Sequence, residues 1–299
     1  MARIPNRGDT FFDRRRPTTY FIENFSVAVK AGEKWLFFDP TSQYLEPGML
    51  RWEEEGQQAL VSDPKEGFWA PTDHLEPARS MRHRRGTFKL LPNGTLEGSV
   101  EYTYTGHTGR SQKLRFAEMT SAQQEEDWKK SLVERLSTAE MSGFEMKNVD
   151  DPSKPATAKH NVTVPGYATR TGKRVLFQPA FFERNVGPRF TESSRKWDLY
   201  FEHPWSEDDE VTIELPEGWE LDQPVAPVSS KIANVGEYSV TVLKSNDGRS
   251  VVYRRKFEWG RGMMLLLPAK SYESLKKVFD FIQEQDSYTI SLKGSADAQ

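Results

Sequence analysis

Residues Thr87 to Thr105 read TFKLLPNGTLEGSVEYTYT and carry the clearest structural pattern in the sequence. Its centre, Pro92-Asn93-Gly94, favours a tight turn, because Asn and Gly tolerate the positive φ angles that such turns require. Val100, Tyr102 and Tyr104 recur at every second position of the second arm, so they share one face of a strand. The stretch therefore predicts an antiparallel β-hairpin.

Short alternating or aromatic-rich runs, separated by turn residues, predict further strands on both sides of this hairpin. The predicted strands are Asn24–Lys30, Lys34–Asp39, Gln58–Val61, Ala158–Val164, Arg174–Phe177, Trp197–Phe201, Val211–Leu215, Tyr238–Leu243, Ser250–Glu258 and Tyr288–Leu292. Many short strands with frequent turns are typical of a mainly β protein, most simply a sandwich.

Two segments show helical spacing instead. Ser121 with Gln124 three residues later has the pattern of a capping box, and Trp128 and Leu132 continue the helix to about Thr138. A second apolar stripe, Tyr272, Leu275, Phe279 and Ile282, predicts a helix over 271–285. The predicted class is mainly β (α+β), an antiparallel β-sandwich-like domain with two packing helices. We expect an N-terminal segment at 1–80, a β-rich domain at 81–293 and a disordered tail at 294–299, with 68–85 as a linker.

Composition excludes several kinds of chemistry. The 299 residues contain no cysteine, which excludes disulfides, Cys-ligated metals and a thiol nucleophile within this sequence. The five histidines lack metal-ligand spacing, and we expect no metal and no cofactor. The net charge of −3 gives no general reason to bind nucleic acid, and the basic cluster at 81–85 is short. No segment has the length of a transmembrane span or the pattern of a signal peptide.

Other local patterns favour structural interpretations. The acidic run at 207–210 lacks the spacing of a calcium loop and predicts a solvated loop. The segment 166–173 has the wrong spacer for a phosphate-binding loop and predicts a simple turn. No serine lies in a G-x-S-x-G elbow. Trp69, Trp205 and Trp219 are candidate binding aromatics, although tryptophan equally caps the edge of a core.

The segment 24–41 carries a resemblance to a known family. It reads NFSVAVKAGEKWLFFDPT, and its two strands resemble the end of the papain-like core in bacterial multidomain transglutaminase-like proteins. The downstream YLEPG at 44–48 resembles the segment that follows the family's triad aspartate. Residues from about 87 to 292, with LPNGTLEG, LPEGW and SYESL, resemble the C-terminal domain of unknown function in these proteins.

The resemblance assigns Asp39 to the aspartate of a Cys–His–Asp triad. Phe25 stands at the histidine position and cannot act as a base, and no cysteine is present to attack. Asp39 is therefore expected to be vestigial, and an Asp before Pro-Thr is also an ordinary turn residue. Phe25 is expected to fill a space in the core.

Three functions follow as hypotheses. The first is a non-catalytic accessory, binding or scaffolding protein or fragment, which is not an enzyme on its own and has a protein or peptide partner. The second is the C-terminal portion of a transglutaminase/cysteine-protease-like enzyme whose nucleophile lies on another segment or partner chain. The third is a carbohydrate- or peptide-binding β-sandwich. We expect no nucleic-acid binding and no membrane insertion, and the resemblance implies a cell-envelope or periplasmic parent protein.

Overall fold

The structure, a computed structural model, describes residues 1–16, 18–63 and 65–294. Three α-helices lie in this part of the chain: α1 (Gly106–Phe116), α2 (Ser121–Arg135) and α3 (Tyr272–Asp286). The strands are β1 (Ala2–Ile4), β2 (Asn24–Ala31), β3 (Lys34–Phe38), β4 (Gln58–Ser62), β5 (Gly67–Pro71), β6 (Met81–Leu90), β7 (Leu96–Tyr104), β8 (Glu140–Lys147), β9 (Ala156–Val164), β10 (Thr169–Thr171), β11 (Arg174–Phe177), β12 (Leu199–Tyr200), β13 (Trp205–Glu214), β14 (Trp219–Leu221), β15 (Val228–Ile232), β16 (Gly236–Lys244), β17 (Ser250–Trp259), β18 (Leu266–Leu267) and β19 (Ile290–Gly294). The predicted mainly β, α+β class is confirmed.

The strands form a large sheet and three smaller ones. The large sheet has the order β15-β16-β17-β13-β6-β7-β9-β8, and only its β6–β13 pair is parallel. A five-stranded sheet, β3-β2-β1-β4-β5, precedes it in the chain. The sheet β10-β11-β19-β14 and the pair β12-β18 complete the set. Each of the two larger sheets has its own apolar cluster, the smaller one built around Ile4, Phe37 and Val61.

The hairpin predicted around Gly94 is present as strands β6 and β7. Leu90 lies opposite Leu96, and Thr87 lies opposite Ser99. Gly94 has φ +85°, and a Cβ atom there would lie 2.4 Å from the carbonyl oxygen of Ala168. The turn therefore requires glycine for its conformation and for the close approach of a second chain segment.

The expectation of two helices is wrong, because α1 is a third. Its sequence, GHTGRSQKLRF, contains two glycines and little apolar periodicity, so pattern analysis misses it. Gly106 begins the helix with φ +58°, and a Cβ there would lie 2.4 Å from the carbonyl oxygen of Arg79. Tertiary packing, which includes this close contact with the segment before β6, thus supports a helix that local propensity does not favour.

Both predicted helices are present. In α2, however, the capping box uses Thr120 and Gln123, one residue earlier than expected, with the Gln123 N–H donating to Thr120 Oγ1. Helix α3 buries Tyr272, Leu275, Phe279 and Ile282, as their spacing predicts.

Two predicted irregular segments and the first residue of the expected tail lie in strands. The expected linker 68–85 supplies most of β5 and the first half of β6, and the acidic run 207–210 lies inside β13 rather than in a solvated loop. Gly294 pairs with Trp219 as the last residue of β19. The rest of the expected disordered tail, 295–299, lies outside the described residues.

Candidate functional site

Asp39 follows strand β3, and its carboxylate has four contacts. Oδ1 accepts hydrogen bonds from the N–H and Oγ1 of Thr41, Oδ2 accepts one from Ser42 Oγ, and Arg51 Nε lies 2.9 Å from Oδ2. Burial acts to raise the pKa of Asp39, but these hydrogen bonds and the charge of Arg51 hold that pKa below its ordinary value. The carboxylate therefore acts as the centre of a turn.

The sequence predicted that Phe25 fills a space in the core, and this prediction is wrong. It is 49% exposed, and the Arg3 guanidinium lies 4.4 Å from its ring centroid. Side chains alternate along a strand, and Ser26 and Phe37 point into the small core while Phe25 points away from it. Phe25 and Asp39 thus lie on opposite faces of the β2–β3 hairpin.

The face of β2 and β3 that points away from the core is apolar and exposed. We call it the outer face, and it consists of Phe25, Val27, Val29, Leu36 and Phe38. Val27 pairs with Phe38 and Val29 with Leu36, so these side chains are direct cross-strand neighbours. The sequence pattern predicted β2 and β3. It did not predict that this apolar face is exposed, since an apolar face normally points inward.

The three candidate tryptophans are half-buried and lie on three different sheets, so the structure does not bring them together. Trp69, on β5, packs against Phe12 with ring centroids 5.4 Å apart. Trp205, on β13, packs against Phe257 at 5.8 Å. Trp219 opens β14.

A buried ion network lies at the centre of the large sheet. Asp209 of β13 is opposite Arg84 of β6 on one side and opposite Arg255 of β17 on the other. Arg84 donates from Nε and Nη2 to the two carboxylate oxygens of Asp209, each at 2.6 Å. Arg255 donates from Nη1 to Glu207 at 2.7 Å and from Nε to Asp286 of α3 at 2.9 Å. The network joins three strands to the last helix.

Electrostatics differ between the carboxylates of this network. Burial acts to raise the pKa of Glu207, but Arg82, Arg255 and Arg84 outweigh it and hold that pKa below its ordinary value. Burial raises the pKa of Asp286 to about 6, although Arg255 opposes the shift. The side chain of Asp286 also accepts a hydrogen bond of 2.7 Å from the Tyr238 hydroxyl.

Two cavities flank the network, and Arg82 lines both. One lies beneath α3, has a volume of about 160 Å³ and is bounded by paired acids and arginines such as Glu207 and Arg255. The other lies between the sheet and helices α1 and α2 and has a volume of about 250 Å³. Sequence analysis missed both, although the opposite charges of the basic run at 81–85 and the acidic run at 207–210 were a usable signal of paired strands.

Three of the five histidines form hydrogen bonds, and the other two, His74 and His83, lie 3.6 Å and 4.0 Å from a carboxylate oxygen. His107 Nε2 lies 2.9 Å from Glu55 Oε1, and both residues are buried. The His203 ring lies 4.9 Å from that of His107, and burial, with the charge of His107, lowers the pKa of His203 to about 4. His160 Nδ1 lies 3.1 Å from the carbonyl oxygen of Asn161. Across 1–16, 18–63 and 65–294, no three His, Asp or Glu side chains are grouped so that they could hold a metal ion. In the same ranges, no helix is long and apolar enough to cross a membrane.

The C-terminal part of the chain is similar to a known sequence family. A family model described as a domain of unknown function with a solved structure, DUF3858, matches residues 173–292. The expected likeness of the C-terminal part to a domain of unknown function is confirmed for that range. The search of curated proteins found no match.

The chain is also similar to the crystal structure of a "putative protease" from Parabacteroides distasonis. The two share 8% sequence identity with a TM-score of 0.43. The match covers 98% of this chain and 40% of that structure, so this chain spans well under half of its length.

Proposed function

We propose that this chain is a non-catalytic accessory module, related to transglutaminase-like proteins, that binds a protein partner on the outer face. The inferred partner presents an apolar ridge flanked by carboxylates. The observation that carries the proposal is the exposure of five large apolar side chains, between 36% and 49%, on two adjacent strands. Contiguous apolar patches of this kind on a protein surface mark interaction sites.

The position of the outer face in the sheet supports docking. Strand β3 is the edge of the five-stranded sheet, so its free backbone groups lie beside the apolar side chains. Edge strands with an apolar face are templates for association with another polypeptide, and soluble proteins usually protect them. Here the apolar side chains of Leu36 and Phe38 belong to this edge strand.

Charge at the two ends of the outer face defines the partner. Arg3 lies over Phe25 at one end, and Lys34 lies on the same face of β3 beside the hairpin turn at the other end. Neither side chain forms an ion pair with another described residue. Acidic groups at both ends of an apolar ridge would complement these cations, whereas a second copy of the same face would bring further cations.

The surroundings of Asp39 support the non-catalytic part of the proposal. Its carboxylate is engaged by Thr41, Ser42 and Arg51, and Phe25 points away on the opposite face. Nothing on the hairpin supplies a base that this carboxylate could orient. The test is ammonia release from glutamine-containing peptides by the purified chain. We expect no turnover, and turnover that disappears in Asp39→Ala would overturn this part.

The binding test uses two amphipathic peptides with the same apolar face, one flanked by Glu and the other by Lys. We expect saturable binding of the Glu-flanked peptide, at least about tenfold tighter than the Lys-flanked one. Val27→Asp should abolish it, while Val186→Asp, at a similarly exposed valine outside the outer face, should not. Equal binding of both peptides, or a stable homodimer through the outer face in sedimentation, would overturn the proposed partner.

A further inference from the structure

The cavity of about 250 Å³ between the large sheet and the first two helices is separate from the outer face. Its floor is formed by Arg82 of β6 and by Tyr102 and Tyr104 of β7, and Arg82 lies directly opposite Tyr104. Its walls come from the helices at helical spacing: Thr108, Gln112 and Arg115 of α1, and Trp128, Ser131, Leu132 and Arg135 of α2. Each wall is thus one face of a helix.

The lining of this cavity carries three guanidinium groups and no Asp or Glu. Arg82 pairs with Glu207 and Arg115 pairs with Asp127, and both acids lie outside the lining. Arg135 forms no ion pair with any described residue and donates instead to the backbone carbonyls of Phe181 and Arg184. Burial lowers the pKa of Arg135 below its ordinary value. A ligand with one negative charge would compensate the positive charge of Arg135.

Two tyrosine hydroxyls are available for the same anion. Tyr102 and Tyr104 are only 9% and 6% exposed, yet neither hydroxyl is hydrogen-bonded to another described residue. Both oxygens keep access to the cavity that the rings line. The hydroxyls of largely buried tyrosines usually have a hydrogen-bond partner, and here a partner can reach both hydroxyls through the cavity. A ligand with acceptor oxygens would supply the missing hydrogen bonds.

The size and aromatic character of the cavity limit the rest of the ligand. The Tyr102 and Trp128 rings meet edge to face at 5.0 Å, and Leu132 adds an apolar surface. A volume of about 250 Å³ lies below the usual range for drug-sized ligands, so one ring with a short substituent fits best. We propose that this cavity binds a small monocarboxylate that carries a single ring, with the carboxylate directed to Arg135 and the two tyrosine hydroxyls.

The experiment measures binding to the full chain by isothermal titration calorimetry with four probes: benzoate, glucuronate, glucose and inorganic phosphate. Either carboxylate binding saturably supports the proposal, and the pair distinguishes an aromatic from a sugar ring. In the Tyr102→Phe/Tyr104→Phe double variant the Kd should rise about tenfold, since both hydroxyls are lost. That variant removes no hydrogen bond to a described residue and should therefore remain folded. Tyr288→Phe, at an exposed tyrosine outside the cavity, is the control and should bind as the parent does.

Arg135→Gln should abolish carboxylate binding, and its melting temperature shows whether it folds. Arg135 also donates hydrogen bonds to two backbone carbonyls, so its loss can affect folding as well as binding. The tyrosine double variant is therefore the decisive one. The proposal is overturned if neither carboxylate binds at about 10 mM. It is likewise overturned if glucose or phosphate binds as tightly as the carboxylates, or if the Kd is unchanged in the double variant.

Discussion

Arg84 and Asp209 face each other across the parallel β6–β13 pair and form a buried, two-point ion pair with both N–O distances at 2.6 Å. The two residues are 125 positions apart in the chain. Both lie on the core face of the large sheet, where isolated charges would be strongly unfavourable. A slipped register would leave both charges buried and unpaired, so the pair favours the observed register of the parallel β6–β13 contact.

Breaking this pair should destabilise the protein strongly. In Arg84→Met the buried carboxylate of Asp209 loses its two-point partner, so we expect a loss of about 3–5 kcal/mol in the free energy of unfolding. Arg85→Met, on the exposed face of the same strand, should cost less than about 0.5 kcal/mol. Urea unfolding of both variants checks this, and similar losses in the two would show that the network contributes little.

The stability should depend on pH through Asp286. Its pKa is 3.8 in its ordinary state and about 6 in the folded protein, so the folded state binds more protons between these values. The contribution of this group to stability is therefore present below its ordinary pKa and is lost as the pH rises through about 6. We expect the stability of the parent relative to Asp286→Asn to fall from about pH 4 to about pH 7. A difference that stays constant or grows over this range would contradict the shift.

The N-terminus of α2 offers a test of the capping residue. Thr120 accepts the N–H of Gln123, so Thr120→Ala should cost about 1 kcal/mol. Ser121→Ala should change stability by less than about 0.5 kcal/mol, because Ser121 is already a helical residue. Thermal unfolding of both variants checks the assignment, and a larger loss in Ser121→Ala would restore the cap expected from the sequence.

Helix α3 provides a matched pair of phenylalanines. Phe279 is 8% exposed and packs against Trp259 with ring centroids 5.2 Å apart, so Phe279→Ala should cost about 3–5 kcal/mol. Phe281 is 36% exposed, and Phe281→Ala should cost much less. Denaturant unfolding compares the two, and an equal cost would mean that the helix presents a different face to the core.

The sequence predicts those elements whose signal is local. The hairpin around Gly94 and the apolar stripe that includes Phe279 both follow from turn chemistry and periodicity. Helix α1 does not follow from local signals, because its first residue, Gly106, is placed by close contact with Arg79 and not by helix propensity. The buried ion network is harder still to predict from sequence. The acidic run around Asp209 and the basic run around Arg84 are typical of solvated segments, and only a long-range parallel pairing brings them together.

The proposed function requires that a protein partner docks on the outer face. Amide hydrogen exchange with and without the Glu-flanked amphipathic peptide tests it most directly. We predict that saturating peptide slows exchange in β2 and β3, from Asn24 to Phe38, and leaves the strands around Trp205 and Trp219 unchanged. Protection confined to other strands, or no protection at any concentration of peptide, would contradict the claim.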